Sequence, residues 1–125
     1  MKRFFLCLFL ILSLAFAVVD TVQAQSYPAK PISLLIPWPA GGATDLMARA
    51  LCEPASKALG QPILVVNKPG GATSIALVQI LQSPPDGYTL GYITGSGIMI
   101  PHLQNLPYDV NRDFAPIIRF IEFST

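Results

Sequence analysis

Three short apolar runs alternate with two segments of helical periodicity along residues 32–93. The runs Ile32–Ile36, Ile63–Asn67 and Tyr88–Ile93 are predicted to be β-strands. The first two are nearly continuous in apolar character, which is typical of strands buried on both faces of a parallel sheet. The order strand, helix, strand, helix, strand indicates an α/β fold with a doubly wound parallel sheet and right-handed crossovers.

The first helix is predicted over Leu46–Leu59, because its apolar positions recur every three or four residues. One helix face carries Met47, Leu51, Ala55 and Ala58.

Capping residues mark the ends of this helix. Thr44 and Asp45 are both suitable N-cap residues, and Gly60 with Pro62 indicates a C-terminal stop. Pro54 lies inside the segment, so we expect it to kink or split the helix.

The second helix is predicted to start at Thr73 or Ser74, either of which suits an N-cap, and to end at Leu81. Beyond the third strand the pattern weakens. We expect one short helix within Ile98–Leu106, a loop over Leu106–Asp109 and a further strand over Phe114–Phe123.

The tetrapeptide Gly-Gly-Ala-Thr occurs twice, at Gly41–Thr44 and at Gly70–Thr73, each time between a predicted strand and a predicted helix. A third glycine turn, Thr94–Gly97, follows the third strand. Turns that leave the carboxyl ends of parallel strands lie on one edge of the sheet, where ligands bind in such folds. We therefore expect the three turns to converge.

Glycine turns that lead into helices present unpaired backbone N–H groups, which favours an anion. The simpler interpretation of any single turn is that its glycines only allow tight turning. The phosphate-loop pattern is absent, and Lys68 is the sole basic residue at the two repeated turns. A carboxylate held by neutral amides and hydroxyls therefore fits better than a phosphate. Gly42 is expected to be the most sensitive position, because a side chain there would obstruct the ligand or demand an unfavourable backbone angle.

The N-terminus has the features of a signal peptide over residues 1–24. Met1-Lys2-Arg3 is basic, Phe4–Val19 is apolar, and Val22-Gln23-Ala24 suits cleavage after Ala24. The apolar run is shorter than the roughly 20 residues that a membrane-spanning helix needs. The sequence therefore predicts export to the periplasm.

Residues 25–125 carry six Lys/Arg and six Asp/Glu residues, so their net charge is near zero. This balance argues against a nucleic-acid partner, which would require a clustered basic surface. Cys52 is the only cysteine in this range, which excludes an intrachain disulfide there.

The residues that could support catalysis or metal binding are sparse. His102 is the single histidine, and Ser96 lies in a Gly-Ser-Gly turn without an acid–base partner beside it in sequence. Asp45 is interpreted as a helix cap rather than a catalytic acid, and Trp38 as either a core residue or a pocket wall. No Cys/His spacing suggests a metal site, and no cofactor is predicted.

An ordered set of short motifs resembles a known family. The motifs are Pro37–Asp45 (PWPAGGATD), Leu59–Pro62 (LGQP), Asn67–Gly70 (NKPG), Pro85–Leu90 (PDGYTL), and Leu106–Asp109 (LPYD) with Asp113–Ile117 (DFAPI). The chain resembles, over Tyr27–Phe120, the substrate-binding proteins of tripartite tricarboxylate transporters, also called Bug receptors.

The resemblance implies an exported type II periplasmic-binding-protein fold with two domains that close over a small carboxylate. Such proteins are not enzymes; they deliver their solute to the membrane components of a transporter, and we expect a monomer. In this family the first-domain turns grip a ligand carboxylate through backbone groups and waters. The ligand-binding residues carried over are Trp38, Pro39, Ala40, Gly41, Gly42, Thr44, Asp45, Asn67, Gly70, Gly71, Ser74, Thr94, Gly95, Ser96 and Gly97.

Two departures from the family stand out: Pro54 inside a helix, and a resemblance limited to the first part of the first domain. Residues 25–125 are therefore interpreted as an incomplete first domain, with the second domain absent. A truncated, non-binding remnant is the main alternative, and a doubly wound α/β enzyme is a weaker one. Because later strands of the sheet are missing, the isolated chain is expected to be marginally stable or prone to aggregate.

Overall fold

The computed structural model describes residues 26–119, so the predicted signal peptide lies outside the described residues. Within this range the strands are β1 (Ile32–Ile36), β2 (Ile63–Asn67) and β3 (Thr89–Gly91). The helices are α1 (Ala43–Leu59), α2 (Ser74–Leu81), α3 (Gly95–Met99) and α4 (Val110–Asp113), with 3₁₀ turns at Gly71–Thr73 and Ile100–His102. None of the helices in residues 26–119 is long and apolar enough to cross a bilayer.

The strands form a parallel sheet, as predicted, and their order is β2-β1-β3. Ile32 pairs with Ile63 on one side of β1, and Ser33 pairs with Thr89 on the other. Helix α1 connects β1 to β2 on one side of it, and α2 connects β2 to β3 on the other side of β1. The two connections thus run across the sheet in opposite directions. When both crossovers are right-handed, their helices lie on opposite faces of the sheet, which is the doubly wound arrangement.

The core surrounds the central strand, which has neighbours on both sides. Its buried apolar side chains are Ile32, Leu35 and Ile36 from β1, Ala48 and Cys52 from α1, Ala76 and Leu77 from α2, and Tyr108. In contrast, β2 lies at the edge of the described sheet, and Leu64 is 50% exposed. The expectation that Ile63–Asn67 is buried on both faces is therefore wrong, since periodicity does not indicate a strand's position in the sheet.

Helix α1 begins earlier than predicted, with Gly42 as its N-cap. The assignment of Thr44 or Asp45 as the cap is wrong, because Asp45 lies in the first turn of the helix and is buried. The buried face carries Asp45, Ala48 and Cys52, whereas Met47 and Leu51 are more than 40% exposed.

Pro54 does not split α1, which continues to Leu59 and ends at Gly60 in the left-handed conformation, as predicted. A proline removes the hydrogen bond that its own N–H would donate, here to the carbonyl of Ala50, and its ring crowds that carbonyl. Ala50 is exposed, so that carbonyl has access to solvent.

Helix α2 has the predicted bounds, and Thr73 occupies its N-cap position without a side-chain capping bond. The third strand is shorter than predicted. In the third glycine turn, Thr94 is the N-cap and Gly95–Gly97 form the first turn of α3, so the short helix begins three residues before the predicted segment.

The strand predicted over Phe114–Phe123 is not observed in residues 114–119, which have no regular secondary structure; residues 120–123 lie outside the described range. Ile117 and Ile118 are 77% and 68% exposed. Apolar character does not make a strand without a neighbouring strand to bond to, and these residues have none within the described chain.

Candidate functional site

The turns that follow the three strands converge on one pocket at the carboxyl edge of the sheet, which confirms the predicted convergence. The pocket has a volume of about 360 Å³. Its lining comes from the turn after β1, the turn after β2 and the start of α3: Pro37, Trp38, Pro39, Pro69, Gly70, Ala72, Thr73 and Ser96.

The lining is neutral. None of its side chains is ionisable, and the polar groups on them are the hydroxyls of Thr73 and Ser96 and the indole N–H of Trp38. Trp38 is 43% exposed and forms part of the pocket wall. Of the two interpretations of this residue from the sequence, the pocket wall therefore applies and the core residue does not. An aromatic wall with a few polar groups is typical of a small-molecule site.

The two Gly-Gly-Ala-Thr copies have different backbone conformations. In the first copy, Gly41 has a φ of +83°, and Gly42 has a φ of −76° in an extended backbone conformation. The next two residues, Ala43 and Thr44, already belong to α1. In the second copy all four residues have positive φ: Gly70 at 122°, Gly71 at 55°, Ala72 at 47° and Thr73 at 82°. Gly42 therefore does not need an unusual backbone angle, and that part of the expectation is wrong; Gly41 needs one.

A polar network around the buried carboxylate of Asp45 holds the first turn in place. Asn67, the last residue of β2, donates its Nδ2 to the Trp38 carbonyl at 2.9 Å and to Asp45 Oδ1 at 3.0 Å. The other oxygen of Asp45 accepts from the Gly41 N–H at 2.9 Å and from Arg49 Nε at 3.0 Å. Arg49 also donates to the side-chain oxygen of Asn67 at 3.3 Å. Both ends of the Trp38–Gly41 segment are thus bonded to this network.

Hydrogen bonds from Arg49, from the Gly41 N–H and from Asn67 hold the pKa of the Asp45 carboxyl well below its usual range. Asp45 is therefore a carboxylate at neutral pH, and its oxygens are occupied within the chain. Its position and its bonding support a positioning role for the pocket wall, not direct contact with an anion.

The third turn is organised by hydroxyl groups. Thr94 Oγ1 accepts from the Gly97 N–H at 3.2 Å and lies 2.9 Å from Ser96 Oγ. Tyr108 donates its buried hydroxyl to the Gly97 carbonyl at 3.2 Å. These bonds fix the start of α3, which presents Ser96 to the pocket.

Of the residues predicted to bind ligand, the structure brings Trp38, Pro39, Gly70 and Ser96 together in the pocket lining. The others do not line it: Ala40, Gly41, Gly42, Thr44, Asp45, Asn67, Gly71, Ser74, Thr94, Gly95 and Gly97. The amides of Gly41 and Gly97 already bond within the chain, so these donors are less available to an anion than the sequence suggested.

Sequence reasoning missed Pro37, Pro69, Ala72 and Thr73 as lining residues. Pro37 and Pro69 could have been included, because each precedes a turn residue that was predicted. Thr73 was interpreted only as a helix cap, and its positive φ has no signature in a single sequence. Among residues 26–119 there is no group of three His, Cys, Asp or Glu side chains placed to hold a metal ion.

Comparison with known proteins relates the chain to one family. Residues 47–125 match the family model for the tripartite tricarboxylate transporter family receptor, TctC. The chain is 36% identical to the protein BugT of Bordetella pertussis, over 80% of this chain and 32% of BugT.

Solved structures agree. A TctC solute-binding protein from Polaromonas superposes with a TM-score of 0.64 at 33% identity, covering 67% of this chain and 29% of that one. MatC from Rhodopseudomonas palustris, solved with bound malate, gives a TM-score of 0.66 at 32% identity and covers 72% of this chain and 31% of MatC. The chain thus spans less than a third of the length of each of these proteins. It belongs to the family of tripartite tricarboxylate transporter receptors.

Proposed function

We propose that residues 25–125 form the first part of the ligand-binding domain of an exported receptor for a small carboxylate. The observation that carries this proposal is the convergence of three strand-to-helix turns on one neutral, tryptophan-walled pocket. That pocket lies at the sheet edge where doubly wound folds bind ligands. We propose a periplasmic location after cleavage behind Ala24, and delivery of the solute to the membrane components of a tripartite transporter.

A carboxylate suits this pocket because its oxygens accept hydrogen bonds from hydroxyls and amides, and such bonds are stronger when the acceptor is charged. Thr73 and Ser96 line the pocket with hydroxyls. We expect backbone N–H donors from turn amides other than those of Gly41, Thr73 and Gly97, which already bond within the chain. The malate bound to MatC is a ligand of the proposed class. The pocket contains no side chain positioned as a nucleophile with an acid–base partner, which favours a receptor over an enzyme.

Trp38 gives a direct test, because it is the single tryptophan of the chain and lines the pocket. Malate added to the full chain should produce a saturable change in tryptophan fluorescence. The uncharged dimethyl ester of malate is the matched control ligand and should produce none.

The neutral lining adds a second expectation. The midpoint of the titration should change little when sodium chloride is raised to a level that screens exposed charges, because no charged side chain lines the site. A response to the ester equal to that of malate, or no saturable response to malate or citrate, would contradict the proposal. The second result would favour a remnant that has lost binding.

A further inference from the structure

We infer that the side chain of Thr73 contacts the solute directly and donates its hydroxyl to a carboxylate oxygen of the bound molecule. The inference rests on the proposed function and deepens it, since it names a side chain on which the selectivity of the pocket depends. Two independent features of Thr73, its unpaired hydroxyl and its backbone conformation, lead to this conclusion.

The hydroxyl of Thr73 has no hydrogen-bond partner among the described residues. Thr73 is only 4% exposed, and Oγ1 is closed off from solvent. Bulk water therefore does not replace the missing partner. A buried hydroxyl without a partner destabilises the folded state, and most such groups in proteins are paired. Oγ1 is the only buried side-chain nitrogen or oxygen in residues 26–119 that lacks a partner.

The backbone at Thr73 is strained. Its φ of 82° lies in the left-handed region, which a β-branched residue rarely adopts. Ala72, the preceding residue, also has a positive φ, of 47°. A residue in such a strained conformation persists only where interactions of the surrounding structure hold it there, and residues of this kind cluster at ligand sites. A glycine would adopt this conformation with less strain but would lack the hydroxyl.

The surroundings of Thr73 place both features in the pocket. Thr73 lines it together with Gly70 and Ser96. A Cβ atom built on Gly97 would lie 3.1 Å from Thr73 Oγ1 and 2.9 Å from Leu77 Cδ1, so the hydroxyl packs against the start of α3. Because Oγ1 is closed off from the pocket surface, the inference requires rotation about the Cα–Cβ bond of Thr73, or a small shift of α3, to bring the oxygen to the solute. A solute carboxylate then supplies the acceptor that the folded chain lacks.

The alternative is that the hydroxyl is structural and is paired by an enclosed water or by a part of the chain outside residues 26–119. The two explanations predict opposite effects of Thr73→Val on the melting temperature. This substitution removes the hydroxyl but keeps a β-branched side chain, so the strain of the left-handed backbone conformation is unchanged. If the hydroxyl is unpaired in the folded chain, its removal leaves the melting temperature unchanged or raises it. If it is paired internally, the melting temperature falls.

The test uses the full chain in wild-type form and as the variants T73V, T73S and T73G. Malate is the probe, Trp38 fluorescence reports binding, and thermal unfolding without malate reports stability. We expect T73V and T73G to weaken malate binding by about tenfold or more, as for the loss of a hydrogen bond to a charged group. T73S keeps the hydroxyl and should stay within about twofold of wild type, because rotation of the serine hydroxyl allows the same bond.

T73G should also raise the melting temperature, since it removes the strain, so affinity and stability change in opposite directions. That combination cannot arise from general loss of structure. Wild-type affinity in T73V, or a lower melting temperature of T73V, would overturn the inference while leaving the proposed function intact. Absence of a saturable response of the wild-type chain to both malate and citrate would overturn the inference and the proposed function together; if only citrate binds, citrate replaces malate as the probe.

Discussion

Replacing Gly41 by alanine should destabilise the chain, whereas the same replacement at the adjacent Gly42 should not. Gly41 has a φ of +83°, and Gly42 has an ordinary φ of −76°. A Cβ atom on Gly41 meets nothing within 4 Å, and one on Gly42 meets only the Pro39 carbonyl at 3.6 Å, which is a normal contact. Neither variant is crowded, so the backbone angle is the main difference between them.

The magnitude follows from that angle. The left-handed conformation costs an L-residue about 1–2 kcal/mol, so Gly41→Ala should lower the free energy of unfolding by that amount. Gly42→Ala reduces the freedom of the unfolded chain without strain, which stabilises by about 0.4–1 kcal/mol. Gly42 is the N-cap of α1, a position where alanine is less favourable than glycine, so the two effects offset each other and the net change should be close to zero. For a domain of this size, 1 kcal/mol shifts the melting temperature by about 4–8 °C. The two variants should therefore differ by roughly 4–16 °C.

Circular dichroism during heating measures both melting temperatures, and urea unfolding gives the free energies independently. The Gly41 N–H bond to Asp45 involves the backbone and is present in both variants, so it does not confound the comparison. Equal destabilisation by the two substitutions, or a greater loss for Gly42→Ala, would refute the assignment of the left-handed position to Gly41.

Two further predictions concern the network and the sheet. The pKa of Asp45 is lowered in the folded chain, so its contribution to stability is present above the unfolded value of about 4 and is lost as the pH falls below it. Asp45→Asn should thus be less stable at pH 7 by urea unfolding and should lose less stability on acidification; an unchanged pH profile would contradict this. Gly91→Ala should lose about 1 kcal/mol, because its Cβ would overlap Ile80 Cδ1, and a second change, Ile80→Val, should restore part of the loss. Additive losses in the double variant would exclude that contact as the cause.

The sequence by itself determined the fold class and the edge at which the site lies. Apolar runs of five residues followed by helical periodicity require strands and helices in alternation, and alternation implies a parallel sheet. A parallel sheet brings the turns after Ile36, Asn67 and Gly91 to one edge whatever the details of packing. The predicted members Trp38, Gly70 and Ser96 meet in the pocket for that reason.

Tertiary structure alone decided which side chains face the pocket and which support it. Asp45 and Asn67 are polar residues at turns, as a ligand-binding residue would be, yet their bonds to each other and to Trp38 exist only once α1 packs beside β2. Burial of β2 could not be predicted either, because an apolar run does not specify whether a further strand lies beside it.

The repeated tetrapeptide shows the same division most directly. Gly-Gly-Ala-Thr leads from a strand toward a helix in both places, as its composition predicts. In the first copy the alanine and threonine are the first residues of α1, whereas in the second copy they lie in left-handed conformations before α2. Local sequence is identical, so the difference comes from the surroundings. At the second copy the Thr73 N–H bonds back to the Gly70 carbonyl, and the Thr73 hydroxyl packs against Gly97, a residue far away in sequence.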